Sequence, residues 1–295
     1  MTANENMTVD LVGRPVHRVG FGAMQLPGPG VFGPPRDRDA ALAVLRRAVE
    51  LGVNHVDTAQ YYGPDVSNEL IRTALHPYPD DLVLVSKVGA LRDDAGNWIP
   101  AQRPEELRAG VEANLASLAV ERVDVVNLRR MDAGHAVPAE QQVSFDDQAA
   151  AMTALRDEGL IGGVGLSNVS AEELQAALDG GLDVACVQNP YNVLSRDDEP
   201  TLRLCAERGI PYVPFFPLGS AFEHMPKVTE HPTVIAAAQQ TGMSAVQVGL
   251  AWLLARDASV LLIPGTSSVA HLEENCGAGA VTLPEGVLGR LDLLG

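Results

Sequence analysis

Short runs of β-branched residues and leucine alternate with amphipathic helical stretches along nearly the whole chain. This alternation constrains the fold more than any other feature. Residues 53–56, 82–88, 123–128, 163–166, 184–188, 212–216 and 260–263 read as strands, with 19–21 as a first strand before them. Most are short and continuously apolar, as parallel strands buried on both faces must be. Between them, residues 39–51 carry Leu42, Leu45 and Val49 on one helical face. Residues 104–118 open with Pro104, Glu105 and Glu106 and continue with Leu107, Val111, Leu115 and Leu118. Residues 146–155 follow, and Ser170 to Glu173 form a capping box before Leu174 and Leu178. Residues 199–208 end at Gly209, and Ser244 caps 244–255. Gly52, Gly159, Gly180 and Gly209 stand where C-terminal glycine caps belong. Eight strand candidates, each followed by a helix, predict an α/β protein: a (β/α)8 TIM barrel in a single domain, 1–295. Residues 8–12, 13–14 and 16–19 predict a short N-terminal β-hairpin before it.

The net charge of -17 argues against nucleic acid or an anionic membrane as partner, since both demand a cationic face. Cys186, Cys205 and Cys276 are far apart and form no CxxC pair, so no metal site and no disulfide framework is expected. Scattered buried thiols suit a reducing compartment. The first residues show no basic segment followed by an apolar run, and no apolar stretch reaches the ~18 residues of a membrane span. The expected location is the cytoplasm. Nothing in the sequence specifies an oligomeric state.

Gly28-Pro-Gly-Val-Phe-Gly33 matches the dinucleotide fingerprint G-x-G-x-x-G. That fingerprint functions only where it leaves a strand and opens a helix. Pro34 and Pro35 follow here, and the helix starts later. The segment reads as an irregular loop at the barrel mouth.

In such a barrel the chemistry sits at the C-terminal ends of the strands. There the sequence places His55-Val-Asp57 running to Tyr61-Tyr62-Gly63, then Ser86-Lys87, Asn127-Leu-Arg129-Arg130-Met-Asp132, Ser167-Asn168 and Gln188-Asn189. Asp57, Tyr62 and Lys87 together suit carbonyl reduction. Hydride delivery to a carbonyl carbon leaves an alkoxide that must gain a proton. A free phenol, with pKa about 10, is a poor acid at neutral pH. A nearby ammonium is expected to pull that pKa down, and a carboxylate to hold the ammonium in place. Each residue alone would read as packing or a paired charge; their joint occurrence on consecutive strand ends is the signal.

These motifs resemble the aldo-keto reductase superfamily, from Gly20-Phe-Gly-Ala-Met24 to Glu274-Asn275. The resemblance implies that Tyr62 is the proton donor, supported by Lys87 and Asp57, and that Tyr61 is its non-catalytic neighbour. It implies that Ser167, Asn168 and Gln188 hold the nicotinamide carboxamide and that Phe215 stacks on the ring, where the family usually has a tyrosine. Gly22, Ala23, Met24 and Asp57 would border the same cofactor. Phe216, Pro217, Leu218 and Gly219 would follow the pyrophosphate. Pro264, Gly265, Thr266, Ser267 and His271 would meet the adenosine ribose, and Glu274 and Asn275 the adenine. Arg129 departs from the usual family histidine. A guanidinium stays protonated and cannot relay a proton, but it can donate hydrogen bonds to a carbonyl oxygen.

Stretches 22–26, 28–38, 125–129, 212–219 and 262–272 are similar to the bacterial pyridoxal reductase subgroup, in which Asn-Leu-Arg belongs to the pattern. That resemblance implies reduction of pyridoxal, a small-molecule aldehyde, to pyridoxine with NADPH. Met24, Phe32 and Trp98 are the candidate substrate contacts, the two aromatics forming a wall for a flat ring. Other aldehydes or dicarbonyls remain an alternative. So does a cofactor-bound regulatory subunit, like the reductase-related β subunits of potassium channels, although intact Asp57, Tyr62 and Lys87 speak against lost chemistry. A glycosidase would need two carboxylates flanking a sugar, and Asp57 has a lysine to pair with instead.

Overall fold

The computed structural model describes residues 8–131, 137–219 and 225–295. Residues 1–7, in which no leader was read, and Asp132 lie outside this set. Strands β1 (Thr8–Leu11) and β2 (Arg14–His17) pair antiparallel, joined through Val12 at φ 52° and Gly13 at φ 78°. Two successive positive φ values are what a tight type I′ hairpin turn requires. Leu11 and Val16 pack into one apolar cluster with Val83, Val85, Val125, Val213 and Leu261. The hairpin therefore plugs the barrel at the end opposite the strand C-termini.

The barrel starts with β3 (Phe21–Gly22), β4 (His55–Asp57) and β5 (Val83–Arg92). A short strand, β6 (Trp98–Ala101), folds back antiparallel on β5. The barrel continues with β7 (Val123–Arg129), β8 (Ile161–Ser167) and β9 (Val184–Gln188). The six barrel strands are parallel, in the order β3-β4-β5-β7-β8-β9. Isolated parallel bridges close the ring, from Val187 to Tyr212 and Pro190 to Phe215, from Tyr212 to Val260 and from Leu262 back to Val19. The seventh and eighth positions are thus thinner than the strands expected over 212–216 and 260–263. Pro214 and Pro217 explain part of this, because proline has no N–H to give a ladder.

The helices are α1 (Arg38–Glu50), α2 (Val66–Leu75), α3 (Pro104–Leu118), α4 (Phe145–Asp157) and α5 (Ala171–Asp179). Beyond them come α6 (Glu199–Arg208), α7 (Pro232–Thr241), α8 (Ala245–Leu254), α9 (Val269–Gly277) and α10 (Glu285–Leu291). Helices α3 and α4 pack directly on β5, β7 and β8, while α10 packs on α7 and α9 on α1 and α8. In α3 the stripe Leu107, Val111 and Leu118 is wholly buried, and each such side chain contributes about 1.5–3 kcal/mol. Two helices start at the serine caps that their sequences predict. Glu173 N–H donates to Ser170 Oγ at 3.2 Å and Ser170 N–H to Glu173 Oε2 at 2.8 Å. Ser244 and Gln247 repeat the exchange at 3.1 and 3.2 Å.

One cap reads differently. Gly180 has φ -73°, and the left-handed residue is its neighbour Gly181 at φ 85°. The Gly28–Gly33 segment is a loop containing a 3-10 turn at Pro29–Val31, and α1 begins only at Arg38 behind its Asp37 cap. Among the described residues no helix is long and apolar enough to cross a membrane, and no cluster of His, Cys, Asp and Glu could hold a metal ion.

Candidate active site

A cavity of about 500 Å³ opens at the C-terminal ends of the strands. Asp57 closes β4, where Gly22 of β3 is its register partner, and Lys87 lies on the adjoining β5. The Lys87 ammonium ion-pairs with Asp57 Oδ1 and donates to the Thr58 carbonyl at 3.0 Å. Gln188 Nε2 donates to the other Asp57 oxygen at 2.8 Å. Asp57 and Lys87 are both 2% exposed. Such a pair survives burial only because its remaining lone pairs and protons are also satisfied.

Tyr62 lies on the turn after β4 and lines the cavity, with Lys87 Nζ over its ring at 5.1 Å from the centroid. Burial pushes the Tyr62 phenol above its ordinary pKa, Asp57 adds to the rise, and Arg129 opposes it. This reverses the downward shift expected from the sequence. The Lys87 charge is balanced by Asp57, so the pair offers a phenolate little net attraction while burial penalises it. The phenol therefore keeps its proton at neutral pH. Tyr61 is buried behind the cavity, its hydroxyl without a hydrogen-bond partner among the described residues. His55, further down β4, is driven by burial to a pKa of about 4, so the strand keeps a neutral imidazole beneath Asp57.

Arg129 ends β7, its guanidinium 5.4 Å from the Phe215 ring centroid and its Nε without a hydrogen-bond partner among the described residues. A pairing with Asp132 lies outside them. Gly89 of β5 lets this strand end pass: its φ is 104°, and any side chain there would run into the Arg129 carbonyl. Arg129, Ser167 and Gln188 are register partners across β7, β8 and β9. Ser167 Oγ and Gln188 Oε1 are buried and have no hydrogen-bond partner among the described residues. Two orphaned acceptors on neighbouring strand ends, of which the hydroxyl can also donate, suit the amide group of a nicotinamide carboxamide. Asn168, at φ 59°, is already committed through Nδ2 to the Arg130 carbonyl at 3.0 Å.

The cavity continues over the thin side of the barrel. Phe215, Phe216, Pro217, Leu218 and Gly219 form one wall. Pro264, Gly265 and Thr266, with His271, Glu274 and Asn275 of α9, form the other. Gly22 and Gly265 pass so closely that a Cβ on Gly22 would strike the Ile263 carbonyl. Met24 and Trp98 line the cavity at its other end, the Trp98 ring 6.4 Å from that of Tyr62.

Five expected contacts are not part of this lining. Asn168 is half-buried, and Ser167 is buried one strand over from Gln188, its register partner, which does line the cavity. Ala23 is fully buried, its carbonyl accepting from Ser67 Oγ at 3.1 Å. Ser267 faces a second cavity beside the Gly28–Val31 loop. Phe32 is drawn out of the site because its ring packs 5.2 Å from the Arg92 guanidinium. Conversely Gln25, Met131, Val246 and Ile263 line the cavity and were not read from the sequence. Met131 follows a strand end by two residues and could have been found; Val246, on α8, carried no signal.

The model of the aldo/keto reductase family matches residues 18–294. Pyridoxine 4-dehydrogenase of Escherichia coli is 47% identical over 286 residues, covering 97% of each chain. An uncharacterized oxidoreductase of Schizosaccharomyces pombe is 36% identical, covering 98% of this chain and 90% of its own. The crystal structure of an aldo-keto reductase from Klebsiella pneumoniae with NADPH superimposes at TM-score 0.79 and 26% identity, over 97% of this chain and 94% of that one. The barrel, the cavity at its strand ends and these likenesses lead to one conclusion: the chain belongs to the aldo/keto reductase family.

Proposed function

We propose that the protein is an NADPH-dependent carbonyl reductase that converts pyridoxal to pyridoxine. The observation that carries the reading is the Tyr62 phenol lining the cavity beside the buried Lys87–Asp57–Gln188 cluster. The extensive identity to pyridoxine 4-dehydrogenase supports the substrate. NADPH, when bound, supplies the hydride. Ser167 and Gln188 would hold its carboxamide through their unpartnered atoms, and Phe215 would face its ring. Tyr62 donates its proton to the carbonyl oxygen as the alkoxide develops. Arg129 donates hydrogen bonds to the same oxygen and draws charge onto it. Lys87 and Asp57 hold the Tyr62 ring and its surroundings fixed. We read residues 1–295 as one barrel domain working in the cytoplasm, in keeping with three free cysteines.

Steady-state kinetics with NADPH and NADH against pyridoxal, pyridoxal phosphate and unrelated aldehydes test the proposal. The expected order is pyridoxal over its phosphate ester, because the chain carries -17 overall and Arg129, the local positive charge beside Phe215, is occupied at the reacting carbonyl. NADPH should be preferred to NADH, with modest discrimination from the imidazole of His271. Higher efficiency on the phosphate, or good rates on unrelated aldehydes and none on pyridoxal, would remove the substrate assignment.

Arg129 gives a separate check. Arg129→Leu removes donors at the oxygen and should lower kcat by roughly 10- to 100-fold, the worth of a hydrogen bond to a charged group. Arg129→His should keep part of the activity. Parent-level turnover in Arg129→Leu would mean that the guanidinium only packs on Phe215.

A further inference from the structure

Arg92 is the last residue of β5, half-buried and outside the reacting cavity. Its guanidinium makes four hydrogen bonds, all to backbone carbonyls. Nη1 donates to Val31 at 2.9 Å, Nη2 to Gly30 at 2.9 Å and to Gly96 at 2.7 Å, and Nε to Gly96 at 3.1 Å. Two aromatic rings flank it, with Cζ 5.2 Å from the Phe32 centroid and 4.3 Å from that of Trp98. One side chain thus joins the Gly28–Gly33 loop to the β5–β6 hairpin.

Both joined segments lead to Tyr62. Val31 is a β-branched residue at φ 59°, a conformation it holds only where surroundings impose it. Its carbonyl, besides accepting from Arg92, accepts from Gly63 N–H at 3.2 Å, and Gly33 N–H donates back to Gly63 at 3.0 Å. Gly63 is the residue next to Tyr62. On the other side, the Trp98 ring under Arg92 meets Tyr61 edge-on at 5.4 Å and Tyr62 at 6.4 Å.

We infer that Arg92 is a positioning residue that sets the Tyr62 phenol for proton delivery, acting through the Val31–Gly63 backbone pairing and the Trp98 ring. The inference rests on Tyr62 being the proton donor. Arginine is required rather than lysine. Only a planar fork can reach three separate carbonyls while also packing against two rings; an ammonium has neither the reach nor the plane.

The test compares Arg92→Met and Arg92→Lys with the parent. Readouts are kcat and KM for pyridoxal, NADPH affinity by fluorescence titration, the solvent deuterium isotope effect on kcat, and hydrogen exchange at the Gly63 and Gly33 amides. Misplacing a reacting group slightly costs up to on the order of 100-fold. Arg92→Met should lose about 10- to 100-fold in kcat and show a larger isotope effect and faster exchange at both amides. NADPH affinity should stay at the parent value, and Arg92→Lys should recover only part of the loss. Parent-level kcat in either variant with faster amide exchange overturns the inference, as does a loss explained wholly by weaker NADPH binding. Where Arg92→Met folds poorly, Arg92→Lys decides, since it keeps the charge and most of the volume. Failure of the underlying assignment has a different signature: undiminished turnover in Tyr62→Phe.

Discussion

Tyr62→Phe should lower kcat by about 100- to 10,000-fold, the usual contribution of a positioned general acid, while leaving NADPH affinity unchanged. The substitution removes one oxygen from a ring otherwise held by Tyr61 and Trp98 at 5.4 and 6.4 Å between centroids, so the barrel should keep its stability. The raised phenol pKa sets the pH behaviour. Aldehyde reduction needs the protonated phenol and should stay level through neutral pH, falling only at strongly alkaline pH. Alcohol oxidation, run in reverse with the oxidised cofactor, needs phenolate and should climb with pH over the same range. Rate against pH in both directions checks this; turnover of Tyr62→Phe near the parent value would mean that another group supplies the proton.

Lys87→Met should cost about 3–5 kcal/mol of folding stability, the usual consequence of leaving one member of a buried ion pair uncompensated. Asp57 would keep the Gln188 amide at 2.8 Å but lose its countercharge in a site 2% exposed. Turnover should fall with it. The double variant Lys87→Met, Asp57→Leu separates the two effects. Removing both charges should restore much of the stability, since a buried pair adds little net stabilisation over apolar residues of similar size, yet turnover should stay lost. Urea denaturation of the single and double variants, alongside kcat, makes the comparison. A double variant no more stable than Lys87→Met would show that the pair itself holds the barrel together.

Fold elements were legible where side chains carry a local signal. Pro104 with Glu105 and Glu106 starts α3, and Gly209 at φ 68° stops α6. Both helices have the bounds read from the sequence. Where that signal is missing, so was the reading. Helix α2 begins behind Asp65 in the left-handed region, with no side-chain cap hydrogen bond, so nothing in Gly63-Pro-Asp65 announces it. Helix α10 contains Gly286 and Gly289, both poor helix formers. Strand β6 is four residues with a proline inside, and it exists because β5 runs on past the barrel to pair with it. Much of the cavity lining was legible because strand ends are predictable, and Asp57, Lys87 and Gln188 converge for that reason. Phe32 was misplaced because its position depends on Arg92, 60 residues along the chain, and the pattern of one segment does not reveal such a partner. The direction of the Tyr62 shift was missed for a related reason: charge is visible in a sequence, but burial and neutralisation by a third residue emerge only on folding.

The ring closes through isolated bridges, Val187–Tyr212, Pro190–Phe215, Tyr212–Val260 and Leu262–Val19, while β5, β7 and β8 run in long ladders. The molecule therefore has a stiff half and a slack half. Lys87, Arg129 and Ser167 stand on the stiff one. The walls from Phe215 to Gly219 and from Pro264 to Asn275 extend from the slack one. Segments with few cross-chain hydrogen bonds open locally at low cost, well below that of global unfolding. A dinucleotide is large and must enter and leave in every turnover, whereas proton transfer tolerates almost no displacement. Such uneven lacing suits one seam to ligand exchange while Lys87, Arg129 and Ser167 stay on the firmly laced strands, and a dinucleotide lying along that seam would act as the missing stitch.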